Sequence, residues 1–152
     1  MLRITKLTDY AIVVLAHLVK DGSEGVSTAK DLAQRSRLPA PTVSKILKEL
    51  ARGQLVVSQR GLQGGYRLGR PPSEISIADI VRAVEGPIAV TDCNRGSREA
   101  CDYAGACPVE DNWLKINDAI FSALSAISLA EMAQPLTPQL IKLTARQSLA
   151  RV

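Results

Sequence analysis

Two runs of aliphatic residues at helical spacing, held apart by a proline pair, restrict this chain more than any other feature. Ala29, Leu32 and Ala33 share one face of a segment that opens on Thr28, with Asp31 three residues on as an acidic capping partner. Beyond Pro39 and Pro41, Val43, Ile46, Leu47 and Leu50 recur at i, i+3, i+4 and i+7. Pro41 suits the first turn of the helix they predict. The earlier segment ends near Ser36-Arg37-Leu38, so two short helices meet across a tight connection, the helix-turn-helix arrangement. A preceding helix is predicted from Thr8, as N-cap, through Lys20. Its Ala11, Val14, Leu15 and Leu18 keep the same spacing, and Asp21-Gly22 stops it.

After Arg52-Gly53 the period changes. Leu55-Val56-Val57-Ser58 reads as a strand, a glycine-rich stretch follows through Gly65, and Tyr66-Arg67-Leu68 returns. A hairpin directly after a helix-turn-helix makes a winged helix, whose last helix suits a major groove and whose wing suits phosphates or a minor groove. Charge supports that use. Residues 30–70 carry nine Lys and Arg against Asp31 and Glu49, a local net charge of +7, enough to attract a polyanion. The candidate DNA contacts are Pro41, Thr42, Ser44, Lys45 and Lys48 on the second helix of the pair, with Arg60, Gln63 and Arg67 on the wing. The plain alternative is a solvated cationic face.

Ser76 and Asp79 cap a short helix that ends at Glu85 before Gly86-Pro87 and buries Ile77, Ile80, Val81 and Val84. Residues 88–107 lack periodicity. A longer helix is predicted from Pro108, with Val109, Trp113, Ile116, Ile120, Leu124 and Ile127 as one apolar stripe, expected to pair with the same helix of a second chain. The expected fold is mainly α with a small β-hairpin wing. Residues 1–87 form a winged helix-turn-helix domain, 88–107 a cysteine-bearing loop, 108–133 a dimerisation helix and 134–152 a weakly ordered tail.

With 46% hydrophobic and only 3% aromatic residues, the 152-residue chain favours one domain of helices packed through aliphatic stripes over disorder or a β-sandwich. The longest apolar run, residues 11–19, contains His17 and is too short for a membrane span. It leads into Lys20-Asp21-Gly22-Ser23-Glu24 with no small-residue cleavage site, which reads as a helix of the mature protein and a cytoplasmic location. No phosphate loop, nucleophile elbow or histidine near the cysteines points to an enzyme.

Cys93, Cys101 and Cys107 are the chain's three cysteines, all within fifteen residues. Core packing does not explain such clustering, whereas thiolates gathered in a loop suit zinc or an iron–sulfur centre. Reduced thiols or a redox-sensing pair are the alternatives. A fourth ligand would come from Glu110, three residues past Cys107, or from Asp9 at the start of the first helix. Either carboxylate also suits a helix N-terminus in its own right. His17, in the middle of that helix, reads as a half-buried structural residue.

The opening residues 1–11 (MLRITKLTDYA), the wing from Arg60 to Gly69 (RGLQGGYRLG) and the triple-cysteine loop resemble the bacterial IscR-like winged-helix regulators. The resemblance covers residues 1–132, and within that family the chain looks most like regulators of the SUF iron–sulfur assembly operon. It implies a homodimer paired through the long helix, and a cytoplasmic, sequence-specific repressor of iron–sulfur assembly genes acting on double-stranded operator DNA. It further implies an iron–sulfur cluster on Cys93, Cys101 and Cys107, two-iron (2Fe-2S) before four-iron (4Fe-4S), whose occupancy controls DNA binding, and it matches Arg60 to the wing residue that enters the minor groove. Three positions depart from the pattern: the first cysteine interval is longer than in the best-known members, Glu110 stands where IscR has a histidine ligand, and Ser44 replaces a glutamate of the recognition helix. Asp9 matches a ligand supplied by the partner subunit in the nitric-oxide-sensing branch. Two rivals remain: a winged helix with structural zinc or thiol-redox sensing, and a cluster carrier that binds no DNA.

Overall fold

A computed structural model of the chain describes residues 3–22, 25–61, 64–91 and 106–134. Cys93, Cys101, Gln63 and the tail beyond residue 134 lie outside them. In chain order the elements are α1 (Lys6–Asp21), α2 (Ala29–Ser36), α3 (Ala40–Arg52), β1 (Val56–Gln59), β2 (Gly65–Leu68), α4 (Ile77–Glu85), α5 (Glu110–Ser125) and α6 (Leu129–Met132), with a 3-10 turn at Pro72–Glu74 before α4. The fold is mainly helical with one two-stranded antiparallel hairpin, as the sequence predicts.

One aliphatic core joins these elements. Val14, Leu15 and Leu18 of α1, Leu32 of α2, Ile46, Leu47 and Leu50 of α3, and Ile80 of α4 are all buried in it. Removing each such Leu or Ile from water contributes about 1.5–3 kcal/mol before entropy is counted. Val56 and Leu68, paired across the hairpin, reach the same core from the base of the wing.

Local chemistry sets the helix ends. Thr28 with Asp31 and Ser76 with Asp79 form reciprocal capping boxes, satisfying amide donors that a helix start leaves open. The turn between α2 and α3 is Arg37-Leu38-Pro39. Arg37 is left-handed (φ 57°), and the amide of Leu38 reaches back to the carbonyl of Ala33 at 3.2 Å. The end of α3 repeats this device: Gln54, not the neighbouring Gly53, is left-handed (φ 58°), with the Leu55 amide on the Leu50 carbonyl at 2.9 Å. Gly53 serves close packing instead, since a Cβ there would lie 2.7 Å from that of Ala83.

Two expectations are corrected. The N-cap of α1 is Thr5, not Thr8, and the helix runs on to Asp21 rather than Lys20. Thr8 is fully buried; its hydroxyl donates to Glu85, whose carboxylate also accepts the Thr5 amide at 3.0 Å. This ties the start of α1 to the end of α4. The long helix expected over 108–133 is two helices. α5 begins at Glu110 and stops at Ser125, and Ser128 starts α6 with its own capping box to Glu131. The Ile77 amide donates to the Ile127 carbonyl at 2.9 Å and the Leu129 amide to the Ile75 carbonyl at 2.7 Å, so the chain folds back on the start of α4. Leu129 enters the core with no exposure, while α5 has no buried residue.

Leu129→Ala should therefore lower unfolding free energy by about 2–4 kcal/mol in a denaturant titration, as a core truncation does. If residue 129 served only an intermolecular seam, the loss would instead vanish on dilution.

The folded state also resists protonation. Hydrogen bonds from Arg35, then Ser27, hold the Asp21 carboxyl below its ordinary 3.8, burial opposing them. At Glu85 burial pushes upward, but the Thr8 hydroxyl and Thr5 amide outweigh it and bring the carboxyl below 4.5. Burial, then Arg35 and Lys20, lowers His17 below 6.5. In each case the unfolded chain binds protons more tightly, so stability is lost as pH falls. Thermal melts at falling pH should show a shallow loss beginning near 6.5 that His17→Gln removes. A second loss, below the ordinary carboxylate values, should be reduced by Asp21→Asn.

Candidate nucleic-acid interface

The face of α3 opposite Val43, Ile46, Leu47 and Leu50 carries Pro41, Ser44, Lys45 and Lys48, all exposed, with Thr42 half-exposed beside them. Burial of four aliphatic side chains thus decides which polar ones face solvent. Pro41 lies in the first turn, where its missing amide hydrogen breaks no helical hydrogen bond.

The wing pairs Val56 with Leu68, Val57 with Arg67, Ser58 with Tyr66 and Gln59 with Gly65. Arg60 therefore follows directly on the last paired residue, and both Arg60 and Arg67 are exposed. Gly61 has φ 120°, a conformation that a side chain there would strain, and its carbonyl accepts the Gly64 amide at 2.9 Å. The structure brings Pro41, Thr42, Ser44, Lys45 and Lys48 together on one helix face and places Arg60 and Arg67 on the hairpin. Gln63 lies outside the described residues.

The nine cations of residues 30–70 divide into two groups. Arg35 meets Asp21 at 2.6 Å, Arg52 meets Glu49 at 2.9 Å and Arg70 meets Asp79 at 3.5 Å. Lys30, Arg37, Lys45, Lys48, Arg60 and Arg67 form no ion pair with the described residues. Paired arginines cancel much of their own field, so attraction for a polyanion rests on the second group. Arg37, exposed at the left-handed turn between the two helices, joins the candidate contacts; its charge is plain in the sequence but its position is not. Composition alone cannot separate the groups, because the Asp21–Arg35 pair spans fourteen residues and the Arg70–Asp79 pair nine.

The candidate cluster ligands are only partly in view. Cys107 is a free, half-buried thiol in the turn that leads into α5, and its carbonyl accepts the Glu110 amide at 3.4 Å. Glu110 is half-exposed in the first turn of α5, and Asp9 is exposed in the first turn of α1. Cys93 and Cys101 are outside the described residues, among which no group of three His, Cys, Asp or Glu side chains gathers. His17 is half-buried, as expected. Among the described residues no helix is long and apolar enough to cross a membrane.

Known proteins agree with this architecture. The Rrf2 family, iron-dependent transcriptional regulators, matches residues 4–135. An HTH-type transcriptional regulator of Mycobacterium tuberculosis is 34% identical over 140 residues, covering 91% of this chain and 85% of the relative. The structure of CymR, the global cysteine regulator of B. subtilis, superposes with a TM-score of 0.68 at 31% identity, covering 88% of this chain and 97% of CymR. IscR of T. potens gives 0.65 at 27% identity, covering 92% and 96%.

Salt titration distinguishes the two groups of cations. With a duplex selected by the wild-type protein from a randomised pool, Lys48→Ala should weaken binding and flatten the salt dependence by about one unit of slope. Arg52→Ala, whose guanidinium Glu49 already neutralises, should change the slope far less.

Proposed function

The chain belongs to the Rrf2 family of DNA-binding transcription regulators, and from that premise we propose that it is a homodimeric repressor of iron–sulfur assembly genes controlled by an iron–sulfur cluster. The observation that carries the cluster is the donor set: three thiols within fifteen residues that run directly into α5. Such a set fits iron–sulfur ligation. Cys93, Cys101 and Cys107 would hold the cluster, with Asp9 or Glu110 as the fourth ligand; a two-iron form is the first assignment and a four-iron form the second. Bound there, the group supplies redox chemistry and a link sensitive to iron supply and oxidants.

The residues of the chain do the rest. Ligation by the three thiolates would tie the 93–107 loop to the start of α5. That helix exposes Leu114, Ile116 and Phe121 at 39–44% and has no fully buried residue, Leu124 alone touching the core in part, which suits pairing with a second copy. A loop fixed at the start of the dimer helix would favour one spacing of the two α3 helices. Ligation and operator binding would then strengthen each other by linkage. The operator would be an imperfect palindrome whose half-sites lie about one helical turn apart. Pro41, Thr42, Ser44, Lys45 and Lys48 would meet the major groove, and Arg60, Gln63 and Arg67 the wing-side backbone or minor groove.

A second reading, control in response to cysteine without a cluster, is favoured by the likeness to CymR. Anaerobic purification with a visible spectrum and iron and sulfide analysis separates the two. The proposal expects brown protein with near-stoichiometric sulfide, and loss of both in Cys101→Ala. Colourless protein that also fails reconstitution with iron and sulfide would overturn the cluster and leave the cysteine-responsive or zinc forms.

A further inference from the structure

Among the described residues, backbone hydrogen bonds brace the wing from outside the hairpin at Tyr66. Ser27 and Tyr66 exchange both backbone hydrogen bonds, Ser27 amide to Tyr66 carbonyl at 3.0 Å and Tyr66 amide to Ser27 carbonyl at 2.8 Å. The contact is close: a Cβ on Gly65 would lie 2.6 Å from the Ser27 carbonyl oxygen. Ser27 is itself held. Its hydroxyl donates to Asp21 Oδ2 at 2.7 Å, and Arg35 grips both carboxylate oxygens of Asp21, at 2.6 and 2.9 Å, while a guanidinium nitrogen reaches the Ser27 oxygen at 2.5 Å. Ser27 is 8% exposed, so water competes little for its own hydrogen bonds, while the Arg35–Asp21 pair beside it is open to solvent. The strap thus joins the end of α1, the first helix of the helix-turn-helix and the middle of β2.

The hairpin has few other restraints. Val56 and Leu68 anchor its base in the core and the half-buried Tyr66 side chain packs against it, whereas Val57, Ser58 and Gln59 are exposed and Gly65 carries no side chain. An isolated two-stranded hairpin is marginal in water, and its angle to the body then depends on contacts along its length. The backbone brace sits midway from base to tip, at Tyr66, opposite Ser58 and one pair short of Arg60, and adds to the packing of the Tyr66 side chain.

We propose that Ser27, Asp21 and Arg35 are positioning residues that set the angle of the wing against α3, so that Arg60 and Lys48 engage one duplex at once. The strap acts through the wing and touches no DNA, and it rests on the reading of Arg60 as a DNA contact. Arg35, counted by charge among the cations available to DNA, is committed to this internal task. A lysine cannot replace it, because one ammonium does not span both carboxylate oxygens and a hydroxyl in a planar fork.

The test uses the full chain and a duplex selected by the wild type from a randomised pool. Ser27→Ala and Asp21→Asn should each weaken binding about tenfold, and Arg35→Lys should resemble them. In native-state hydrogen exchange the Ser27 and Tyr66 amides should lose protection while those of Leu47 and Ile80 keep theirs, a local opening that a general loss of stability would not give. The loss from Ser27→Ala should largely disappear when measured in an Arg60→Ala background. Unchanged exchange at Tyr66 in all three variants, or losses that simply add to that of Arg60→Ala, would overturn the strap. If Arg60→Ala itself leaves affinity unchanged, the wing reading fails and the strap's role in binding falls with it. If Arg60→Ala weakens binding but the strap variants do not, the strap alone fails.

Discussion

Burial of Val43, Ile46, Leu47 and Leu50 against α1 and α4 is the interaction on which the rest of the molecule depends. Those side chains occupy one face of a thirteen-residue helix, so their burial leaves the opposite face to solvent and fixes its direction. Rotating α3 by one residue would exchange aliphatic for cationic side chains in the core, at a cost of several kcal/mol. The absence of a side chain at Gly53 lets α4 approach the end of that helix closely enough to lock it. The reading face is therefore a consequence of packing, and its rigidity comes from the core beneath it.

The same core explains why charge divides as it does. Arg35 and Arg70 lie within reach of carboxylates that packing has brought near them and Arg52 meets Glu49 one turn back on α3, while Lys45, Lys48, Arg60 and Arg67 project from the outer surfaces of α3 and the hairpin. Exposed ion pairs add little stability one by one. Their larger effect is to cancel field where it is not used and leave it where a polyanion would lie. In the strap the pairing has a mechanical result as well, because Asp21 and Arg35 hold the hydroxyl of a residue whose backbone is hydrogen-bonded to the wing.

Elements whose signals are short in range were legible in the sequence. Thr28 with Asp31 and Ser76 with Asp79 predicted their helices correctly, since a capping box spans three residues. The outer face of α3 followed from its period, and the hairpin from the change of period after Gly53. The start of α1 was misplaced because Thr5 and Thr8 both look like caps; only the distant Glu85 decides between them. The break between α5 and α6 was missed because the apolar stripe stays in phase through Ile127. Ser128 followed by Glu131 was the capping signal that would have found it.

The sequence by itself determined the helix-turn-helix, the wing, the charge that surrounds them and the clustering of three thiols, because each is written in residues a few positions apart. Tertiary structure alone decided that Gln54 rather than Gly53 turns left-handed, that Leu129 returns to the core, that Arg35 and Arg70 meet carboxylates, and that residue 27 steadies the wing. Those outcomes depend on contacts between residues well separated along the chain, such as Ser27 with Tyr66, Ile75 with Leu129 and Arg35 with Asp21. Local spacing carries no information about such contacts; they exist only once the common core has drawn the helices together.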